Sequence, residues 1–468
     1  MDILLIKPYS DLSNVIPPLG LGYLSAALKK KGISVKIIHC FKDNIGIPDI
    51  ISLAQKNNVK IIGISCCSND HFWLQRLATA MEGLPNIKLV VGGPHPTGLG
   101  IRLMNLISRI DFLIISEGEL SFPVLVDLVI RRSLSEDALA LIPNLVWRNT
   151  SGKLIKNYIE LPANLDVLDC DWDALAPGEY AKFSPHGGFA RLKPVAQLIT
   201  TRGCPYRCKY CLSSIINGTQ IRKRSAGSII NEIEYLIDRY RIKEIHIEDD
   251  NFTFYKEHVI DVCSAIRNKG IKINFGLPNG VRIDKLDDEI MKELKSAGFY
   301  FMSIGIESGS NAILGSMNKQ LNLEKIKEGV RLIKKYQMRV KGFFMLGYPG
   351  ETKKDMLETI NFARSLPLDQ AFFSVFIPLP GTPIFDYLEK NKKIDINTCN
   401  WNDYYTGNFF HPPYVPDGMT ADELKNIVSL AHRLFYFRFK IIIKILKEIT
   451  VFSEFKHLWN RGRHLLLK

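Results

Sequence analysis

Two successive runs of alternating short strands and helices constrain this chain more than any other feature. In the first run, apolar strands at 3–7, 35–39, 60–65, 88–92 and 112–116 are separated by helical spacing at 19–31, 47–57, 70–83 and 122–131. These strands are Val-, Ile- and Leu-rich without clean alternation, as expected of parallel strands covered on both faces. Strand, helix and strand in series predict a doubly wound sheet, whose ligands sit beyond the carboxyl ends of the strands. Prolines and glycines then punctuate 140–193, which reads as a connector. From Val195 a second run begins, with strands at 196–200, 244–248, 273–277, 301–307, 341–346 and 371–376. Helices at 228–240, 256–269, 287–297, 323–336, 353–366 and 384–391 follow them. Six such units in about 200 residues are too few for a closed eight-fold barrel, which takes ~250. They predict an incomplete, splayed (β/α)6 barrel with its site at the strand ends. The expected division of this α/β chain is 1–139, 140–193, 194–400, and a helical C-terminal region, 401–468.

The chain is 46% hydrophobic and 23% charged. These are globular proportions, which exclude wholesale disorder and collagen-like or coiled-coil architecture. No stretch reaches the ~20 apolar residues of a membrane-spanning helix. The N-terminus carries Asp2 where a signal peptide is basic, so a cytoplasmic location is expected. The net charge of +13 favours anionic partners. About half of that excess lies in 421–468, with 10 Lys/Arg against 4 Asp/Glu. The basis of the charge is thus local, and no recognition fold for nucleic acid accompanies it.

Nine cysteines argue against a disulfide framework in a reducing compartment. Three of them cluster in Thr200-Thr201-Arg202-Gly203-Cys204-Pro205-Tyr206-Arg207-Cys208-Lys209-Tyr210-Cys211, directly after the first barrel strand. A loop of eight residues can turn three thiolates toward one point. Structural zinc closes on four ligands, and no fourth Cys or His follows at zinc spacing. A ferredoxin would also supply four. Three thiolates on an iron–sulfur cube leave one iron open to bind substrate or cofactor. Structural zinc or unrelated thiols are the alternatives.

In Cys204, Cys208, Tyr210 and Cys211 this segment resembles the Cys-x3-Cys-x2-Cys hallmark of the radical SAM superfamily. The resemblance implies a [4Fe–4S] cluster held by the three cysteines. It also implies that the open iron chelates S-adenosylmethionine (SAM), and that one electron cleaves SAM to a 5′-deoxyadenosyl radical. Other strand ends fit the same picture. Glu248, Asp249 and Asp250 end the second strand, where acids could receive the SAM amino group; solvated surface is the plain alternative. Arg282 follows the third strand and could meet a carboxylate by a bidentate pair. Ser303, Glu307 and Ser308 end the fourth, and their resemblance to the family's motif implies contacts to the ribose or methionine of SAM. The segments 342–352 and 378–383 end the fifth and sixth.

A doubly wound domain before such a barrel resembles the cobalamin-binding radical SAM enzymes. The pieces are Pro17-Pro18-Leu19-Gly20-Leu21-Gly22-Tyr23-Leu24, Gly63-Ile64-Ser65, Val91-Gly92-Gly93-Pro94-His95-Pro96-Thr97 and Glu117-Gly118-Glu119. On this resemblance 1–139 is a Rossmann-like cobalamin-binding domain, and Ser65, Gly92 and Gly93 would let a flat corrin lie against the strand ends. His95 is a corrin contact or a structural turn residue. The Asp-x-His-x-x-Gly signature is absent, which implies cobalamin without a histidine lower ligand; a Rossmann-like remnant is the other reading.

The implied activity is a cobalamin-dependent methyltransferase acting on an unactivated carbon of a lipid, isoprenoid, tetrapyrrole or other natural product. A cyclase, oxidoreductase or carbon–carbon bond-forming enzyme on the same machinery is the alternative, and a non-enzymatic iron–sulfur electron carrier a distant one. Methylthiotransferases fit less well, because neither their three further cysteines nor their RNA-binding barrel is present. A small-molecule or lipid substrate and a reductant such as flavodoxin or ferredoxin are the expected partners, with no nucleic acid. Residues 434–447 are apolar and basic, with Lys440, Lys444 and Lys447 on one helical face. They predict either peripheral contact with the inner membrane face or a helix packed across the barrel. An open iron is oxygen-labile, so an anaerobic or microaerobic host is expected.

Overall fold

The structure is a computed structural model that describes residues 1–8, 15–186, 189–405, 411–439 and 441–443. The first sheet contains β1 (Ile3–Lys7), β2 (Val35–His39), β3 (Ile61–Ser65), β4 (Lys88–Gly92) and β5 (Phe112–Ile114), with β6 (Leu145–Arg148) and β7 (Leu154–Lys156) at one edge. Its order is β2-β1-β3-β4-β5-β6-β7. The first five strands are parallel; β6 and β7 add antiparallel. Both faces of the parallel part are covered, so its strands are continuous apolar runs.

The segment 140–193 therefore differs from a plain connector, because 145–156 extends the first sheet. Trp147 and Leu145 bury their side chains there. Asn144 stitches the turn by donating from Nδ2 to the carbonyls of Glu117 (2.8 Å) and Glu160 (2.7 Å).

The second sheet has six parallel strands: β8 (Val195–Leu198), β11 (Glu244–Ile247), β12 (Asn274–Val281), β13 (Phe299–Glu307), β14 (Arg339–Leu346) and β15 (Gln370–Val375). Their order, β15-β14-β13-β12-β11-β8, leaves β8 and β15 unpaired with each other, which is the predicted open barrel. Between β8 and β11 a two-residue hairpin, β9 (Thr201–Arg202) and β10 (Arg222–Lys223), interrupts the barrel. Helices Ala226–Tyr240, Lys256–Asn268, Asp288–Ser296, Leu323–Lys335 and Lys353–Ser365 cover the outer face.

The C-terminal region docks onto both halves. Helix Ala421–Tyr436 starts at a capping box in which the Thr420 side chain accepts from Glu423 N and the Glu423 carboxylate accepts from Thr420 N. Leu424, Ile427, Val428, Ala431 and Phe435 sink into the barrel core. A strand edge exposes unpaired carbonyls, and this helix covers that of β15: His432 Nε2 meets Phe373 O (3.0 Å) and Tyr436 donates to Ala371 O (2.8 Å). Of the basic segment 434–447, residues 440 and 444–447 lie outside the described residues, and the membrane expectation rests mainly on them. No helix among the described residues is long and apolar enough to cross a membrane.

Trp401 is 2% exposed and packs on His71, His95 and Tyr404, with ring centroids 5.3, 4.9 and 4.7 Å away. It belongs to the same apolar core as β1, β3 and β4 and the barrel residues Tyr348 and Phe376. Trp401→Ala should cost about 3–5 kcal/mol in urea unfolding. A loss under about 1 kcal/mol would contradict this docking.

Candidate active site

The hairpin β9–β10 sets Arg202 opposite Arg222 and closes the loop 203–221, which carries the three cysteines. Cys204 N donates to Gly218 O, and Cys211 N to Cys208 O, each at 3.1 Å. All three thiols are half-buried and none is in a disulfide. Burial pushes the Cys204 thiol up to about 11, and the negative charges of Cys211, Asp250 and Cys208 add to the rise. Burial also raises Cys211, against hydrogen bonds from Ser213. Cys204 and Cys211 thus resist ionisation, and bound iron would reverse that by favouring the thiolates. Among the described residues no three His, Cys, Asp or Glu side chains are arranged to hold a single metal ion. On an iron–sulfur cube each thiolate would take a separate iron.

The acids after β11 have three different surroundings. Asp249 is buried and accepts from Thr200 N (2.6 Å), Thr200 Oγ1 (2.5 Å) and Thr201 Oγ1 (2.9 Å). Burial raises its pKa to about 6 against those hydrogen bonds. It anchors the strand that enters the cysteine loop, and its oxygens are consumed in doing so. Asp250 Oδ2 accepts from Asn217 Nδ2 (2.7 Å) and Gly203 N (3.4 Å) while facing the interdomain cleft. Glu248 Oε2 lies 2.5 Å from His186 Nδ1, and its Oε1 is buried with no partner among the described residues. Burial works against charge on His186, but Glu248 outweighs it and raises the imidazole's pKa.

Several expected SAM contacts have internal partners instead. Arg282 forks onto Asp284 (2.9 and 3.0 Å), donates to the carbonyls of Lys319 (2.5 Å) and Gln320 (3.1 Å), and stacks 3.8 Å over the Tyr206 ring. Its donors hold the turn after helix Asn311–Ser316 and are not offered to a carboxylate ligand. Ser308 Oγ lies 3.2 Å from Thr359 Oγ1 and accepts from Ser310 N (3.1 Å), so it too is structural. Glu307 accepts from Lys319 Nζ (2.9 Å), which also donates to Tyr210 OH (3.0 Å). That places Tyr210, Glu307 and Lys319 in one cluster beside the cysteine loop. Ser303 is buried on β13 and its Oγ has no partner among the described residues.

A cleft of about 240 Å³ lies between the two sheets. One wall is built from strand ends of the first domain, with Ser65, Gly92 and Gly93. The other includes Arg202, Asn217, Glu248 and Asp250 from the barrel. Ser65 and Gly92 are paired across β3 and β4. Gly93 has φ +107°, and a Cβ there would lie 2.8 Å from Cys66 O; only glycine suits both constraints. Leu5, Leu24, Val90 and Phe122 make the floor apolar, and no histidine lines the cleft among the described residues. Of the two readings of His95, its placement favours the structural one. It is fully buried away from the cleft, between His71 (3.0 Å) and Ser68 Oγ (3.1 Å), and burial holds its pKa well below normal. Its role is to pack the Trp401 region against the first domain.

Sequence reasoning missed Arg222, Asn217, Lys319 and His186. Arg202 and Glu117 stood inside quoted motifs, but nothing in the sequence pairs them across 85 residues as the structure does.

Glu351, in the loop after β14, accepts from Gly347 N (2.6 Å) and Tyr348 N (3.1 Å), and its other oxygen has no partner among the described residues. Burial pushes it up to about 8. The folded chain therefore keeps this proton to higher pH than the unfolded chain. Stability falls as pH rises from the ordinary carboxylate range toward 8, by up to about 1.4 kcal/mol per pH unit. Glu351→Gln should flatten the melting temperature between pH 6 and 8.5; an unchanged slope would contradict the burial effect.

The family model for the radical SAM superfamily matches residues 198–363, and that for the B12 binding domain matches residues 10–126. The "Uncharacterized methyltransferase PH0819" of Pyrococcus horikoshii is 30% identical over 459 residues, covering 96% of this chain and 95% of its own. The chain belongs to the cobalamin-binding radical SAM enzymes. Another relative is the anaerobic magnesium-protoporphyrin IX monomethyl ester cyclase of Cereibacter sphaeroides, 26% identical over 92% of this chain and 68% of its own length. The fold is that of the radical SAM methyltransferase TsrM from Kitasatospora setae, solved with cobalamin and a [4Fe–4S] cluster: TM-score 0.71, 16% identity, 92% of this chain and 91% of that one. The residues present fit the family's cofactors. Three free thiols share one loop, and the cleft beside it has small residues and apolar surface where a flat macrocycle would lie.

Proposed function

We propose that this chain is a cobalamin-dependent radical SAM methyltransferase that methylates an unactivated carbon of a small molecule. The observation that carries the reading is the single cleft shared by Ser65, Gly92 and Gly93 on one side and the root of the cysteine loop on the other. Methyl carrier and radical source would then act on one shared cleft. When bound, the cluster supplies the electron that cleaves SAM, and the corrinoid supplies a methyl carrier. Cys204, Cys208 and Cys211 would hold the cluster. Glu248 Oε1, buried and unpartnered among the described residues, offers an acceptor to the SAM ammonium. His186 holds that carboxylate in place. The apolar floor excludes water from the reacting groups. A low-potential reductant, such as flavodoxin or ferredoxin, would deliver the electron.

The test is product analysis on anaerobically reconstituted protein given SAM and a reductant. Methyl transfer predicts both S-adenosylhomocysteine and 5′-deoxyadenosine. 5′-Deoxyadenosine alone would overturn it in favour of cyclisation or oxidation, the chemistry that the similarity to the monomethyl ester cyclase brings into view.

A further inference from the structure

An ion cluster joins the two walls of the cleft at the roots of the cysteine loop. Arg202 and Arg222 face each other in the β9–β10 register, a placement that is repulsive by itself. Glu117 relieves it from the other domain. Its Oε2 accepts from Arg202 Nη1 (2.7 Å) and Arg222 Nη1 (3.2 Å), and its Oε1 from Arg222 Nη2. Arg202 Nη2 also reaches Glu119 Oε1 at 2.8 Å. The four side chains are 4–9% exposed, so the pairs act in a poorly screened setting.

The roots themselves are tight. Gly203 has φ +103°, and a Cβ there would lie 2.3 Å from Gln220 O. Arg222 also donates to Asn217 O (2.9 Å), inside the loop. A second strap runs alongside, because Ser116 Oγ donates to Ile216 O. Glu117, Gly118 and Glu119 meanwhile line the cleft. The segment 116–119 thus contacts the cleft and both ends of the cysteine loop.

We infer that Glu117 is a positioning residue that couples corrinoid occupancy of the cleft to the placement of the cysteine loop, and so to SAM binding. The inference rests on the cobalamin reading of the cleft. Glu117 reaches the cysteine loop through Arg202 and Arg222.

Equilibrium binding on oxidised, iron-reconstituted protein tests it, because SAM is not cleaved without an electron. The SAM Kd is measured with and without hydroxocobalamin, alongside iron and corrinoid content. In the wild type, hydroxocobalamin should change the SAM Kd by at least about fivefold, and SAM should change the corrinoid Kd by the same factor. In Glu117→Gln the factor should fall below about twofold while iron and corrinoid content hold. Arg222→Lys keeps the charge and loses the fork; it should lower the factor too, and it decides the matter if Glu117→Gln does not fold. Full coupling in a variant that carries both cofactors overturns the inference. A wild type that binds corrinoid without coupling overturns the inference alone. A wild type that binds no corrinoid overturns the reading of the cleft as well.

Discussion

Cys208→Ala protein releases no 5′-deoxyadenosine above the protein-free background when given SAM and a reductant. The cysteine loop offers three thiols, none of them in a disulfide. Two thiolates leave two irons of a cube without protein, so the site-differentiated cluster is lost, not weakened. The folded barrel should survive, since Cys208 is half-buried on a loop and contributes little core. Cys263→Ala is the control. That thiol is carried by helix Lys256–Asn268 and buried in the barrel core, and its loss should leave cleavage unchanged. Cleavage retained in Cys208→Ala would overturn the assignment of the cluster to this loop.

Ser65→Phe separates the two cofactors. Ser65 is half-buried at the end of β3, beside Gly92, and forms part of the cleft wall. A phenyl ring there occupies the surface on which the macrocycle would lie. The corrinoid Kd should rise by at least tenfold, with iron unchanged. Loss of about 1.4 kcal/mol in binding already produces that factor, and a ring in the path of a rigid ligand costs more. S-adenosylhomocysteine formation should disappear while 5′-deoxyadenosine formation persists. Unaltered corrinoid binding would show that the cleft is not its site.

The strands of both sheets were legible because each is a short apolar run set against helical spacing; β1, β2 and β4 lie where that pattern places them. The antiparallel pair β6–β7 was not, because strands of four and three residues leave no period to read. The hairpin β9–β10 is shorter still and is defined by pairing across the cysteine loop, which sequence does not display. Cysteine spacing marked the cluster loop because the chemistry depends on residue type and interval. The polar positions were harder. Asp249, Arg282, Ser308 and His95 have the right residue types at strand ends, yet the fold has spent their hydrogen bonds on Thr200, Asp284, Thr359 and His71. Glu248 and Asp250 have the same composition and remain turned to the cleft. Whether a polar group is consumed or available depends on its tertiary partners, and those come from residues tens to hundreds of positions away.

The central claim is that one chain holds a corrinoid and a site-differentiated cluster on the two walls of one cleft. The direct measurement is the corrinoid, iron and sulfide content of wild-type protein purified anaerobically with cobalamin supplied. About one corrinoid, four irons and four sulfides per chain are predicted. Four irons with no corrinoid would contradict the claim and leave the first domain a scaffold for radical chemistry without methyl transfer.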